Sequence, residues 1–181
     1  MTSDRIFFPG NPWPEDHPVT EFCWTARIEG GQVWFDFALE TADYDSERRT
    51  QASGETVGDW DAPSVWTNYG SCTISSDSGA RGFPVCAVGD FSLARLDGAV
   101  FHLDPPSDES TEDEDFAFHV YLLGHDQVSD HRIAFTRLGD TDRFDIDWRG
   151  RIALTYAGDF EPRYEFHTTL TSVVAPRLLP E

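Results

Sequence analysis

The stretch TEFCWTARIEGGQVWFDFALE, residues 20–40, decides the fold class of this protein. Apolar and polar residues alternate on both sides of Gly30–Gly31. The apolar positions share one face and are Phe22, Trp24, Ala26 and Ile28 before the glycines, then Val33, Phe35, Phe37 and Leu39 after them. Two runs of period two joined by a Gly-Gly pair predict an antiparallel β-hairpin with one buried face.

Shorter alternating runs continue along the chain. They are FSLARL and AVFHL around Asp97–Gly98, FAFHVYLL at 116–123, HRIAFTRL at 131–138, and RFDIDW, RIALTY and RYEFHTTLTSVV after residue 142. Arg149–Gly150 is interpreted as a turn, and less regular strands are predicted at 64–75 and 83–88. Only 44–53 has the character of a short helix. The pattern predicts an all-β protein, an antiparallel two-sheet sandwich of about ten or eleven strands, with a closed β-barrel as the alternative.

The length of 181 residues indicates a single β domain spanning 1–181. We expect an extended, Pro-rich N-terminal arm at 1–19 and an acidic hairpin loop at 104–115. The N-terminus lacks the charged-then-apolar pattern of a secretion signal, and no apolar run is long enough to span a membrane. These features predict a cytoplasmic protein of bacterial type.

The charge of the chain is strongly negative. It contains 33 acidic residues against 13 basic ones, a formal net charge of −20, and every basic residue is arginine. Such a field repels nucleic acids and anionic membranes and attracts cationic partners. We therefore exclude nucleic-acid and membrane binding and consider a basic protein partner, although a GC-rich genome or a salty cytoplasm would produce the same bias.

The densest acidic segment is DPPSDESTEDEDF, residues 104–116. It does not fit the calcium-loop template, because the sixth position counted from Asp108 is Asp113 where the template requires glycine. Three interpretations stay open: a solvated loop, a contact surface for a basic partner, and adventitious binding of cations. The contact candidates are Asp108, Glu109, Glu112, Asp113, Glu114 and Asp115.

Histidines on the polar faces of predicted strands form a second candidate site. His102, His119 and His167 take such positions, with Tyr121 beside His119 and Glu165 beside His167. In a sandwich this face meets solvent. In a barrel with a polar interior the same side chains converge on a cavity, where imidazoles and a carboxylate hold zinc or iron.

The segment GHDQVSDH, residues 124–131, is a third candidate. His125–Asp126 and Asp130–His131 bracket a predicted loop, and two imidazoles with two carboxylates suit a divalent metal. Ordinary turn formation accounts for the same residues without an ion. The chain carries no nucleotide-binding, phosphate-binding or zinc-protease motif, so no cofactor is predicted.

A fourth candidate is a sugar-binding face made of aromatic residues. Trp34 lies on the polar face of the first hairpin, and Trp60, Trp66 and Tyr69 lie at or just beyond the end of the polar stretch 41–63. Exposed rings beside acids and amides stack on sugars, while the polar groups bind hydroxyls.

Taken together, these residues favour a non-enzymatic acidic interaction protein that binds a basic protein partner, in the manner of an immunity or inhibitor protein. The alternatives are a metal-dependent enzyme or small-ligand binder that uses the histidine-bearing face, and a carbohydrate-binding module. A small-molecule or sugar ligand is therefore not excluded.

Overall fold

The computed structural model describes residues 4–11, 16–44, 60, 70–76, 80–105 and 116–178. Within these ranges the strands are β1 Arg5–Phe7, β2 His17–Glu29, β3 Gln32–Thr41, β4 Thr73–Ser75, β5 Phe83–Ala87, β6 Val100–Leu103, β7 His119–Tyr121, β8 His125–Arg137, β9 Arg143–Ala153 and β10 Tyr164–Val174. The described helical segments are short: α1 at Leu93–Leu96 and 3-10 turns at Val88–Asp90 and Thr155–Ala157. None of the described helices has the length and apolar character needed to cross a membrane.

Eight antiparallel strands close into a barrel. Their order is β2-β1-β10-β9-β8-β7-β4-β3, and β3 pairs back to β2. Strand β5 adds to β3, and β6 adds to β8. The all-β prediction is confirmed, and of the two architectures considered the closed barrel is the one found. The closing element is β1, which belongs to the predicted N-terminal arm and pairs with both β2 and β10.

The hairpin predicted from residues 20–40 is confirmed as β2 and β3, with Glu29 opposite Gln32 at the turn. The inward side chains of β3, from Val33 to Leu39, are at most 1% exposed. Aromatic rings fill the barrel interior: the ring of Trp148 lies 4.7 Å from that of Phe118 and 5.7 Å from that of Phe37. A barrel of eight strands is just wide enough for such side chains.

One predicted strand and one predicted turn are wrong. Residues 93–96 form α1 instead of a strand, because the side chain of Ser92 accepts the backbone N–H of Arg95 and caps the helix. Arg149–Gly150 does not turn the chain, since β9 runs without interruption through both residues.

The loop assignments around β8 are also corrected. Residues 124–131 do not form a hairpin tip, because β8 begins at His125. The acidic segment does not join two paired strands either. β6 and β7 both pair with β8, at positions far apart along it: Leu103 lies opposite His131 and Tyr121 opposite His125. Residues 106–115, and the helix expected at 44–53 from residue 45 on, lie outside the described residues.

Candidate functional site: the buried Asp104–His131 pair

A β-bulge in β8 turns His131 into the barrel. The pairing between β8 and β9 shifts between Ser129 and Arg132, and Asp130 within the bulge has a φ of +51°. Val128 is buried before the bulge, whereas His131 and Ile133 are buried after it. The bulge therefore changes which residues of the strand point inward.

Gly150 makes room for the His131 imidazole. A Cβ atom at this position would lie 2.8 Å from Nδ1 of His131 and 2.6 Å from Cε1 of Phe166, both too close. The ring of His131 also packs against that of Phe118, at 4.9 Å between centroids. Glycine inside a strand thus marks a close approach here.

The tautomer of His131 follows from one hydrogen bond. The indole N–H of Trp148 donates to Nδ1 of His131 at 3.1 Å, so the proton of the neutral imidazole is assigned to Nε2. Nε2 lies 3.6 Å from Oδ2 of Asp104, which is too long for a hydrogen bond. Among the described residues this buried nitrogen has no hydrogen-bond partner, a rare condition that calls for an explanation.

Asp104 ties the acidic segment to the barrel. It follows β6 directly, and its carboxylate accepts the backbone N–H of Ala117 at 3.0 and 3.1 Å. Its carbonyl oxygen accepts the backbone N–H of Asp130 at 2.6 Å. The two ends of the segment, residues 104 and 117, are therefore held together against β8.

Burial shifts both ionisable groups of the pair. It raises the pKa of the Asp104 carboxyl to about 6, against the opposing effect of backbone N–H donors from Ala117 and Phe118. It lowers the pKa of the His131 imidazole to about 3. At neutral pH a carboxylate therefore faces a neutral imidazole, and the pair is not a salt bridge. Paired groups with shifted pKa values are typical of functional sites.

The three histidines of the predicted polar face lie on the outer surface of the barrel. His102 and His167 are exposed, and His119 is half-buried. The register places Arg132 and Arg149 between His102 and His167, while His119 lies on β7 opposite Ser75. Because all three side chains lie on the outside of the barrel, these imidazoles do not converge on its interior. Of their predicted neighbours, Tyr121 is 41% exposed, and Glu165 lies 3.5 Å from the guanidinium of Arg151.

The four candidate metal ligands of residues 124–131 point in different directions. Asp126 is buried and accepts the backbone N–H of Leu123 at 3.0 Å. Asp130 is exposed and pairs with Arg151 at 3.4 Å, and His131 faces the interior. The side chain of His125 lies outside the description. Among the residues that the structure describes, no three side chains of metal-binding type come together.

The predicted aromatic face is divided between surface and core. Trp34 is half-buried, and the guanidinium carbons of Arg27 and Arg81 lie 5.3 and 5.1 Å from its ring centroid. Trp60 is only 5% exposed and stacks on Tyr164, so its ring cannot serve as a sugar platform. Trp66 and Tyr69, like the six acidic contact candidates between Asp108 and Asp115, fall in stretches that the structure does not describe.

Sequence reasoning missed three residues of the site: Asp104, Trp148 and Gly150. The available signal was Gly150, a glycine within an alternating run, which indicates either a turn or a close contact. The choice between them depends on Phe166 and His131, which reach Gly150 only in the folded barrel.

The fold and site define an antiparallel β-barrel with an aromatic interior and one buried carboxyl–imidazole pair. No family model matches the chain, and no curated protein or solved structure is significantly similar to it. Since the His131 side chain is fully covered, a substrate from solvent does not reach it. The groups in contact with the pair are the protein's own: the Trp148 indole at His131, and the backbone N–H groups of Ala117 and Asp130 at Asp104.

Proposed function

We propose that the protein is a non-enzymatic interaction protein whose acidic surface binds a basic protein partner. Its acidic excess serves to attract and orient that partner. The proposal is supported by the way in which the arginines are used within the fold.

Arginine side chains are largely committed to partners inside the molecule. Ten of the eleven described arginines contact a carboxylate, a backbone carbonyl or an aromatic ring, namely Arg5, Arg27, Arg81, Arg95, Arg132, Arg137, Arg143, Arg149, Arg151 and Arg163. A cation engaged in this way offers little to an external anion. The negative excess therefore dominates what an approaching molecule meets.

Several carboxylates, in contrast, make no ion pair with an arginine. Among the described residues, Glu21, Glu40, Asp140, Asp142 and Glu161 are exposed and take part in no ion pair. Glu21 and Glu40 even lie opposite each other on β2 and β3. Like charges in this arrangement lower stability, so a cationic partner that neutralises them gains binding energy.

The acidic segment after Asp104 has the highest density of carboxylates in the sequence. The Asp104–Ala117 hydrogen bonds hold its two ends at a fixed place on the barrel. A rigid attachment limits the entropy that a partner must overcome when it binds the segment.

The test measures binding of a short oligo-arginine peptide by calorimetry at increasing salt. We expect binding that weakens steeply with ionic strength, because exposed charges are screened beyond about 8–10 Å. Oligo-glutamate serves as the negative control. Salt-insensitive binding of the basic peptide, or no binding at low salt, would contradict the proposal.

A matched pair of variants locates the contact. Replacing residues 107–114 by a short Gly-containing turn removes five carboxylates. The control removes the same charge elsewhere, with Glu21→Gln, Glu40→Gln, Asp140→Asn, Asp142→Asn and Glu161→Gln. A larger loss of affinity in the first variant assigns the contact to the acidic segment, and equal losses assign it to the overall field.

A further inference from the structure

We propose that the protein cleaves its own backbone at the Asp104–Pro105 peptide bond, using the Asp104 side chain as the nucleophile. The chain contains a single Asp-Pro pair, and it lies at this site. The reaction does not require the proposed binding function, although it would free one end of the acidic segment, and it rests on four features of the same bond.

The backbone at Asp104 is strained. Its φ is +49°, in the left-handed region that non-glycine residues seldom adopt. A following proline disfavours helical conformations and pushes the preceding residue towards extended backbone. Strain of this kind is retained only where surrounding contacts enforce it, and it is released when the bond is cut.

The contacts that hold Asp104 in this strained conformation also activate the Asp104–Pro105 peptide bond. The carbonyl oxygen of Asp104 accepts the backbone N–H of Asp130 at 2.6 Å. This donor is held by the β-bulge, where Asp130 has a positive φ of its own. A fixed N–H aimed at the carbonyl oxygen stabilises the negative charge that forms there when the carbonyl carbon is attacked.

The nucleophile is covalently in place, and its own carboxyl group supplies the proton that the reaction needs. The Asp104 carboxyl is anchored by the N–H of Ala117, and Oδ2 lies 3.6 Å from Nε2 of His131. Burial raises its pKa to about 6, so the protonated acid is populated under mildly acidic conditions. This proton is the one that the leaving nitrogen of Pro105 requires.

The reaction balances without a cofactor. A side-chain oxygen of Asp104 attacks its own carbonyl carbon, and a C–O bond forms to give a five-membered cyclic anhydride. The C–N bond to Pro105 breaks as that nitrogen takes the carboxyl proton and leaves as a secondary amine. Water then opens the anhydride, so that one water is consumed and the new ends are the Asp104 carboxylate and the Pro105 amine.

Few ionisable groups influence this step. From β8, His131 faces the Asp104 carboxyl, whereas the neighbouring Asp130 is exposed and pairs with Arg151 of β9. The segment at 116–118 contributes backbone N–H groups of Ala117 and Phe118. On β6 itself, His102 is exposed. Protonation of Asp104 therefore governs the pH dependence, and cleavage accelerates as the pH falls through 6.

The purified full chain is incubated at about pH 5 and about pH 8, on either side of the Asp104 pKa of about 6, and followed by intact mass spectrometry. We expect two products, residues 1–104 and 105–181, that accumulate at the lower pH. Size-exclusion chromatography is expected to show an unchanged particle. β6 and β4, from the first product, pair with β8 and β7 of the second and hold the halves together.

Two comparisons separate this reaction from ordinary acid hydrolysis. In unfolding urea at the same pH, cleavage is expected to slow by about tenfold or more, since the strain and the Asp130 donor are lost.

In Pro105→Ala, which keeps Asp104 but provides a poorer leaving group, the products are expected to be absent, as in Asp104→Asn. Glu161–Pro162 is the internal control and is expected to stay intact. An uncleaved wild-type chain at about pH 5, or equal rates in folded and unfolded protein, overturns the proposal.

Discussion

Trp148 and His131, on adjacent strands of the barrel, are joined by a buried hydrogen bond from the indole N–H to Nδ1. This bond leaves the proton of the imidazole on Nε2, facing Asp104. It therefore connects the aromatic interior to the base of the acidic segment.

The first prediction concerns this hydrogen bond. Trp148→Phe leaves Nδ1 of His131 buried without its donor, and we expect a loss of about 1–3 kcal/mol beyond the loss of packing. Trp24→Phe is the matched control, because Trp24 is also buried but its indole N–H has no partner among the described residues. Chemical denaturation of both variants measures the difference. Equal losses would show that the Trp148–His131 bond contributes nothing to stability.

The second prediction concerns the Asp104 carboxyl. Its folded pKa of about 6 lies above the unfolded value of 3.8, so ionisation of Asp104 opposes folding. Asp104→Asn removes the buried charge and is expected to raise the free energy of unfolding at neutral pH by about 1–2 kcal/mol, since partial exposure screens part of the effect. The gain is expected to shrink as the pH falls from 6 towards 3.8 and then to vanish.

Denaturation curves of this variant across that pH range provide the measurement. Asp140→Asn is the control, because Asp140 is exposed and takes part in no ion pair among the described residues. A less stable Asp104→Asn protein at neutral pH would contradict the prediction, because it would show that the carboxylate stabilises the fold through its contacts with Ala117 or His131.

The third prediction concerns His131, whose pKa moves in the opposite direction. Its folded pKa of about 3 lies below the unfolded value of 6.5, so its contribution to stability is complete above pH 6.5 and is lost as the pH falls towards 3. In Asp104→Asn, where the opposing titration is absent, stability is expected to fall more steeply with acid than in wild type. NMR titration of the ring nitrogens checks the assignment. An imidazole that protonates near pH 6.5 in the folded protein would contradict it.

The fourth prediction concerns the space around the imidazole. Gly150→Ala places a Cβ within 2.8 Å of His131 Nδ1 and 2.6 Å of Phe166 Cε1, and we expect a loss of about 1–3 kcal/mol from overpacking. Gly89→Ala is the control, since a Cβ there meets nothing within 4 Å and the backbone has no positive φ. Thermal unfolding of the two variants is compared. An unchanged melting temperature in Gly150→Ala would mean that the barrel wall yields at this point.

The fifth prediction concerns the carboxylates of the first hairpin. Glu40→Gln removes the repulsion from Glu21 across the strands and is expected to stabilise the protein by about 0.2–1 kcal/mol at low salt, with a smaller gain at high salt. Glu165→Gln provides a contrast of opposite sign, because Glu165 lies opposite Arg151. Destabilisation by Glu40→Gln would indicate that Glu40 already has a cationic partner in solution.

Some elements of the fold could be predicted from the sequence and others could not. The β2–β3 hairpin was predictable because its alternation is local and Gly30–Gly31 marks its turn. Barrel closure was not, since β1 has only the three residues Arg5–Phe7 and pairs with a strand more than 150 residues away. A short segment carries no period from which such a pairing can be read.

The candidate site was harder to predict for a related reason. The bulge between Ser129 and Arg132 shifts which residues of β8 face the barrel interior. A prediction that counts alternate residues from one end of the strand therefore assigns the wrong face to the residues beyond the bulge. The net charge of the protein, in contrast, can be read from the composition without a structure.

The pairing of β1 with β10 also means that the barrel closes only after the last strand, β10, has been synthesised. The hydroxyl of Thr168 donates to the carbonyl of Arg5, 163 residues earlier in the chain. During synthesis the β2–β3 hairpin therefore leaves the ribosome long before the strands that cover its aromatic face. Contacts this distant slow folding to milliseconds or longer, and throughout that interval Phe35 and Phe37 are available to chaperones.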